Sequence, residues 1–277
     1  MTGGVFKKTR FMQFLLNLPA WISFLLVSVI TTSIALAGLR FVRKKYPAEV
    51  LKENHEVAAI IFNAFGLLYG VVVAFVVFVT WSGYDEATKN LQMEANETID
   101  IFYSAKAFPD PVSKTIQQGL IDYAASVHND ELKRMATGEV SLYSKSSLRN
   151  LIGFFNNLDQ RSAPNRELYA ESLRCLNKLA EYRRLRVFAG SNTIPSAIWV
   201  VLLTGGLITV SYTYFLGVKN IRAQYLMTAA LTVTITLILV LIYILDHPFT
   251  GTNSVSVEPL KQAMDVMQQN SESGSGP

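Results

Sequence analysis

At 277 residues, half of them hydrophobic and with a formal charge of +4, the chain gathers its apolar mass into four uncharged blocks rather than spreading it as a soluble protein does. That distribution excludes an ordinary soluble domain, because covering four such blocks needs a far larger polar shell. The small positive charge lacks an interleaved basic and aromatic patch, which argues against nucleic acid and assigns the Lys and Arg residues to membrane flanks.

The first block follows Lys7, Lys8 and Arg10 and is uncharged from Leu18 to Leu39. It is too long for a signal-peptide core and has no small-x-small cleavage site, so it reads as a first span over about 18–39. The second, Val57 to Tyr84, predicts a span over about 57–82. Past it, Leu91, Ala95, Thr98, Phe102 and Ala105 recur at helical spacing, so one long helix is expected to leave the bilayer and run to about Ala107. Pro109 and Pro111 end it. A second helix carries Ile116, Leu120, Tyr123, Ala124, Val127, Leu132 and Met135 to a break near Gly138, and a third covers about 145–158. A fourth, about 165–189, presents Leu168, Leu173, Leu176, Leu179 and Leu185. Two further spans close the pattern, over about 194–217 and 223–245.

No stretch alternates with period two, so the expected fold class is all-α: an integral membrane protein with four transmembrane helices and a helical extramembrane bundle between spans two and three. The expected division is a membrane pair over 1–84, a helical region over 85–193, a second membrane pair over 194–250 and a flexible tail over 251–277 ending in SESGSGP. The loops 40–56 and 217–225 hold Arg40, Arg43, Lys44, Lys45, Lys52, Lys219 and Arg222, a density that argues for the cytoplasmic side. Lys7, Lys8, Arg10 and the arginines before the third span pull the other way.

Enzyme chemistry finds no support. His55, His128 and His247 are scattered without metal-ligand spacing, and there is no phosphate-binding loop or nucleophile elbow. No Asp, Glu, Lys or Arg lies inside the spans, which removes the usual proton relay or charge-coupled carrier. Cys175 stands alone, excluding an internal disulfide. The expectation is a passive protein with no cofactor and no metal.

The second span is where the informative residues lie. IFNAFGLLYG places the amide of Asn63 and the glycines Gly66 and Gly70 in an uncharged helix, and with Ala59, Ala74 and Val77 they make one small or polar stripe. Two readings stay open. Small residues and one amide suit close helix packing in lipid. Alternatively this stripe, or its neighbour through Leu67 and Val71, lines a water-filled axis in a homo-oligomer. Tyr69 and the hydroxyls of Thr204, Thr209 and Ser211 are open to the same choice, whereas Gly205 and Gly206 suggest tight packing or a bend.

Where that helix leaves the bilayer, Trp81, Tyr84 and Asp85 form W-x-x-Y-D, and after the fourth span LDHPFTGTN supplies Pro248, Phe249 and Gly251. Together with the plan of two spans, helical middle and two spans, these motifs resemble the bestrophin anion channels, and most closely the bacterial bestrophin-like membrane family. The resemblance implies a homo-oligomer, a pentamer, in a bacterial inner membrane, with permeant anions as its cargo and a second-span neck at Asn63, Leu67 and Val71. Here the chain departs from the family, whose neck is apolar throughout, by placing the polar Asn63 in it. Calcium-activated members follow Pro-Phe-Gly with a run of acids; here the segment TGTNSVSVE has only Glu258 and Asp265 nearby, so no calcium site is expected and Asp246 reads as a helix-end or interfacial hydrogen-bonding residue. Arg183, Arg184 and Arg186, with Arg174 and Lys178 before them, read either as headgroup contacts or as a positive vestibule that concentrates anions. The alternatives to a channel are a non-conducting helical scaffold and a subunit of a proton-conducting or force-transducing complex.

Overall fold

The computed structural model describes residues 18–46, 55–136, 142–158, 166–216, 218 and 220–273. In chain order its helices are α1 (Ala20–Lys45), α2 (His55–Ala105), α3 (Val112–Ser126), a π-turn (Val127–Glu131), α4 (Leu132–Met135), α5 (Leu142–Asn157), α6 (Arg166–Ser191), α7 (Ser196–Tyr212) with a 3-10 turn (Thr213–Phe215), α8 (Ile221–Leu245) and α9 (Glu258–Ser273). No strand occurs among the described residues. Helices over Ala20–Lys45, Ala58–Ala105, Ser196–Phe215 and Ile221–Leu245 are each long and apolar enough to cross a membrane. The chain divides into two compact units. One contains Met1–Gly83, Thr193–His247 and Gly251–Asn253; the other contains Tyr84–Asn192, Pro248–Thr250 and Ser254–Pro277.

In the membrane unit, α1 and α8 pack along a seam of small and hydroxyl-bearing residues. Gln224, Thr228, Thr232 and Thr236 recur every fourth residue on α8 and are buried, as are Ser28, Ala35 and Leu39 on α1. Thr31 and Thr236 share a hydroxyl hydrogen bond of 2.9 Å, and Thr213 and Thr228 one of 3.0 Å. Thr31, Thr213 and Thr232 also bond a carbonyl of the preceding turn, Thr232 to Thr228 at 2.7 Å, so these hydroxyls are satisfied locally and still let the backbones approach. At the end of the seam Arg43 donates to the Gln224 carboxamide and, at 2.9 Å, to the Val218 carbonyl, while the Gln224 amide reaches the carbonyls of Thr213 (2.9 Å) and Leu216 (3.1 Å). Asn220 caps α8 by accepting from the backbone N–H of Arg222 at 3.0 Å. Arg43, Lys44 and Lys45 in the last turn of α1 complement its dipole.

The second unit is built as a water-soluble bundle would be. Leu91, Ala95, Phe102 and Ala105 of α2 are buried against Ile116, Leu120 and Tyr123 of α3 and Leu176 and Leu179 of α6. The apolar face of α6 continues into two arginines, with Arg186 fully buried and Arg183 nearly so. Arg186 donates to Glu94 through Nε (2.5 Å) and Nη2 (3.0 Å) and to Glu131 at 3.2 Å, and Arg183 pairs with Glu131 at 2.6 Å. Tyr123 gives its hydroxyl proton to Glu94 at 2.6 Å, and Arg186 Nη1 meets the Met135 sulfur at 3.0 Å. Two carboxylates thus balance two guanidiniums. Burial, followed by the negative charge of Glu94, pushes the Tyr123 phenol well above its ordinary range; burial works against the Arg186 charge, but Glu94 and Glu131 more than reverse it. The π-turn delivers Glu131 to this cluster. Leu132 N–H bonds Val127 O, a span of five residues, and the extra residue changes the phase of the helix there.

The flexible tail expected over 251–277 is corrected for residues 258–273, which form α9. Leu260, Ala263 and Met267 fall on one side of it and are buried in the core of the second unit, which supplies the stabilisation that the polar ends of the segment lack. Residues 274–277 lie outside the described residues.

Arg186→Ala leaves Glu94 and Glu131 buried with one guanidinium between them. A loss of about 3–5 kcal/mol is expected, read as a large fall in the unfolding temperature of the purified protein in detergent, whereas exposed Arg184→Ala leaves that temperature within a degree or two.

Candidate functional site: the outer face of the second helix

α2 has two different sides within the membrane unit. One side packs. Val73 is buried with Leu202 and Ile242, and Tyr69, Val76 and Val77 lie against that core. Thr80 is buried and bonds back to Val76 O (2.9 Å) and Val77 O (3.0 Å). The contact of Tyr69 with α7 is specific. Its ring lies over Gly205, where an added Cβ would sit 2.5 Å from two ring carbons, and its hydroxyl donates to Leu202 O at 2.9 Å. Gly205 and Gly206 therefore form a notch for Tyr69, and the tyrosine is a helix-packing residue in this protomer.

The other side has no partner among the described residues. Asn63, Leu67 and Val71 are all exposed, Leu67 by 70% and Val71 by 47%. A Cβ added at Gly66 or at Gly70 would find no atom within 4 Å, so neither glycine is used for packing inside the protomer. Ala59 is half-buried. The stripe that the sequence offered for packing or for a lumen is thus divided: Asn63, Gly66 and Gly70 meet no neighbour among the described residues, whereas Val77 joins Tyr69, Val73 and Thr80 on the packing side.

The motif residues separate similarly. Trp81 is exposed, Tyr84 packs at the edge of the second unit's core, and Asp85 pairs on the surface with Lys89 at 2.6 Å, a contact worth little in water. Phe249 is buried in the second unit beside Gly190, where an added Cβ would lie 3.0 Å from its ring. Val255 N–H bonds Pro248 O at 2.7 Å, and Gly251 has φ of 81°, a conformation that favours glycine, so the turn after α8 depends on that residue. Asp246 is the C-cap of α8 and accepts from Ile194 N–H at 2.7 Å, in the helix-end role expected of it.

The vestibule reading is corrected for Arg183 and Arg186. Both charges are buried and neutralised by Glu94 and Glu131, so they neither reach headgroups nor present a field to a passing ion; Arg184 alone of the three is exposed. What sequence reasoning missed is that Glu94 and Glu131 are core positions. Glu94 is next to Ala95 and three residues after Leu91, on the buried face of α2, and that placement was the available signal. Among the described residues no group of three or more His, Cys, Asp or Glu is arranged to hold a metal ion.

An all-α, four-span membrane protein with a helical bundle between its second and third spans and an unpartnered face on the second is the class these features define. The model of the Bestrophin-like domain matches residues 25–260, and the chain belongs to that family. Crystal structures of a bacterial bestrophin homolog from Klebsiella pneumoniae share the fold. One is 13% identical, with a TM-score of 0.66, covering 91% of this chain and 99% of that one. A single-substitution variant of it is 13% identical at 0.66, over 92% and 99%. Another variant is 14% identical at 0.67, over 91% and 97%. No curated protein matches the sequence.

Gly205→Val places a branched side chain on the Tyr69 ring and is expected to cost about 1–3 kcal/mol; Tyr69→Ala in the same chain recovers part of that loss, a non-additivity that a double-mutant thermal-unfolding cycle measures. Burial pushes the Cys175 thiol up to about 11, with Glu97 and Glu171 adding to it. Cys175 in the folded protein is therefore expected to resist maleimide near neutral pH and to react only on unfolding, followed by mass spectrometry.

Proposed function

We propose that copies of this chain assemble, as a pentamer, around the outer face of α2 and form a passive anion channel. The single observation that supports the reading is the line of Asn63, Leu67 and Val71, four residues apart and exposed with no partner among the described residues, beside two glycines that leave room for a neighbouring backbone. A solvated lumen satisfies the Asn63 amide, which hydrocarbon does not. Leu67 and Val71 then make apolar rings whose dewetting sets the barrier, with Asn63 supplying neutral hydrogen bonds to an ion that has shed part of its water. In this assignment Ala59, Gly66 and Gly70 admit the adjacent helix, and Arg184 is the remaining charge of its cluster available to bias the approach of anions. The bestrophin fold of the relatives supports a channel; the absence of an intramembrane acid or base argues for passive flow over a proton-coupled or force-transducing role.

Protein reconstituted in planar bilayers under a chloride gradient is expected to give currents that reverse near the chloride potential. Leu67→Ala is expected to raise unitary conductance and Asn63→Ala to change anion preference, with the oligomer intact by size-exclusion light scattering. Silent bilayers with an intact oligomer would favour the non-conducting scaffold, and unaltered currents in both variants would reject this neck.

A further inference from the structure

We propose that Asp246 makes the junction between the end of α8 and the segment leading into α7 sensitive to protons: the protonated carboxyl keeps the junction packed, and ionisation loosens it by drawing water in. Asp246 is the last-turn cap of α8 and is only 7% exposed. Its Oδ1 accepts the backbone N–H of Ile194 at 2.7 Å, immediately before Pro195 caps α7, so one carboxyl ties together the ends of two spans. The Trp199 side chain, from the first turn of α7, lies close enough to the carboxyl to favour its charged form.

Among the described residues the groups around it are few. On its own helix, Tyr243 lies one turn back, and His247 follows, its ring 4.6 Å from the Tyr243 ring and its Nδ1 2.9 Å from Tyr243 O. From α7 comes Trp199, whose ring is 6.1 Å from Tyr243 and carries no charge. No Lys or Arg forms an ion pair with Asp246 among the described residues. One backbone N–H and a nearby neutral indole compensate the desolvation of a buried carboxylate only in part.

Burial accordingly pushes the Asp246 carboxyl up to about 6, with the Ile194 N–H and Trp199 pulling back. The sign follows from linkage. A carboxyl whose affinity for protons is higher when packed than when solvated favours the packed arrangement below its packed-state pKa, and that preference is lost as pH rises through about 6. The device acts on the packing of one membrane unit and stands whether or not the chain conducts.

Hydrogen–deuterium exchange of the full chain in nanodiscs at about pH 5 and about pH 8 tests it. After correction for the intrinsic base-catalysed rate, amides of residues 192–200 are expected to lose protection severalfold at the higher pH in the wild type. Asp246→Asn keeps a carbonyl acceptor without a charge, so protection is expected to persist at both. Trp199→Phe removes a donor that favours the ionised form and is expected to move the transition to higher pH, whereas His247→Gln leaves it in place. Wild-type protection that is flat across the range, an Asn variant that follows the wild type, or a transition that disappears with His247→Gln would overturn the proposal. Should Asp246→Asn not fold, Trp199→Phe decides alone, since a transition that stays in place or moves to lower pH in that variant overturns the proposal as well.

Discussion

A backbone in hydrocarbon has to satisfy its own hydrogen bonds, and α2 meets that demand with one unbroken ladder from His55 to Ala105. The requirement does not stop where the lipid stops, because the same helix supplies Leu91, Ala95 and Phe102 to the core of the second unit. Within one element the burial rule therefore changes. Along the apolar stretch the large side chains face outward and the packing side is narrow, built on Tyr69, Val73 and Thr80; farther along, the apolar residues turn inward and Lys89 and Asp85 face water. This explains why Leu67 and Phe78 are exposed in one half while Leu91 and Phe102 are fully buried in the other.

The two units hold themselves together by different means. Hydrophobic burial gives little net drive between helices already in lipid, so the α1–α8 seam relies on close approach and hydrogen bonds: small residues, threonines bonded both to their own helix and across, and the Arg43–Gln224 clamp. In the second unit apolar burial provides the main term. There the Glu94–Arg186–Glu131–Arg183 cluster is a point of specificity rather than of gain, since desolvating four charges offsets most of their attraction. Its consequence is geometric. A guanidinium that must reach two carboxylates fixes α6 against α2 and against the π-turn, and the π-turn's extra residue is what brings Glu131 into reach.

Among the described residues neither unit covers the Asn63 face. A helix that commits its packing contacts to one side and leaves a polar amide and two bare glycines on the other is incomplete as a single chain in lipid. That incompleteness, more than any motif, favours self-assembly, and membership of the bestrophin-like family agrees with it.

Period and charge alone determined the four spans, the all-α class and the long second helix, because hydrocarbon imposes length and neutrality residue by residue and helical spacing is local. Leu91, Ala95, Thr98, Phe102 and Ala105 could be placed on a buried face from spacing, and all of them are buried. The helical tail, by contrast, needed a partner surface: Leu260, Ala263 and Met267 are too few to announce a helix until a core receives them. The same holds for charge. Spacing puts Arg183 and Arg186, and not Arg184, on the face of Leu176 and Leu179, but only the packing of α6 decided that this face stays buried there, opposite Glu94 and Glu131, while Arg184 faces water. Pairing energies depend on which distant residue arrives at 2.5 to 3.2 Å, and that is a property of the tertiary structure, not of the chain around each arginine.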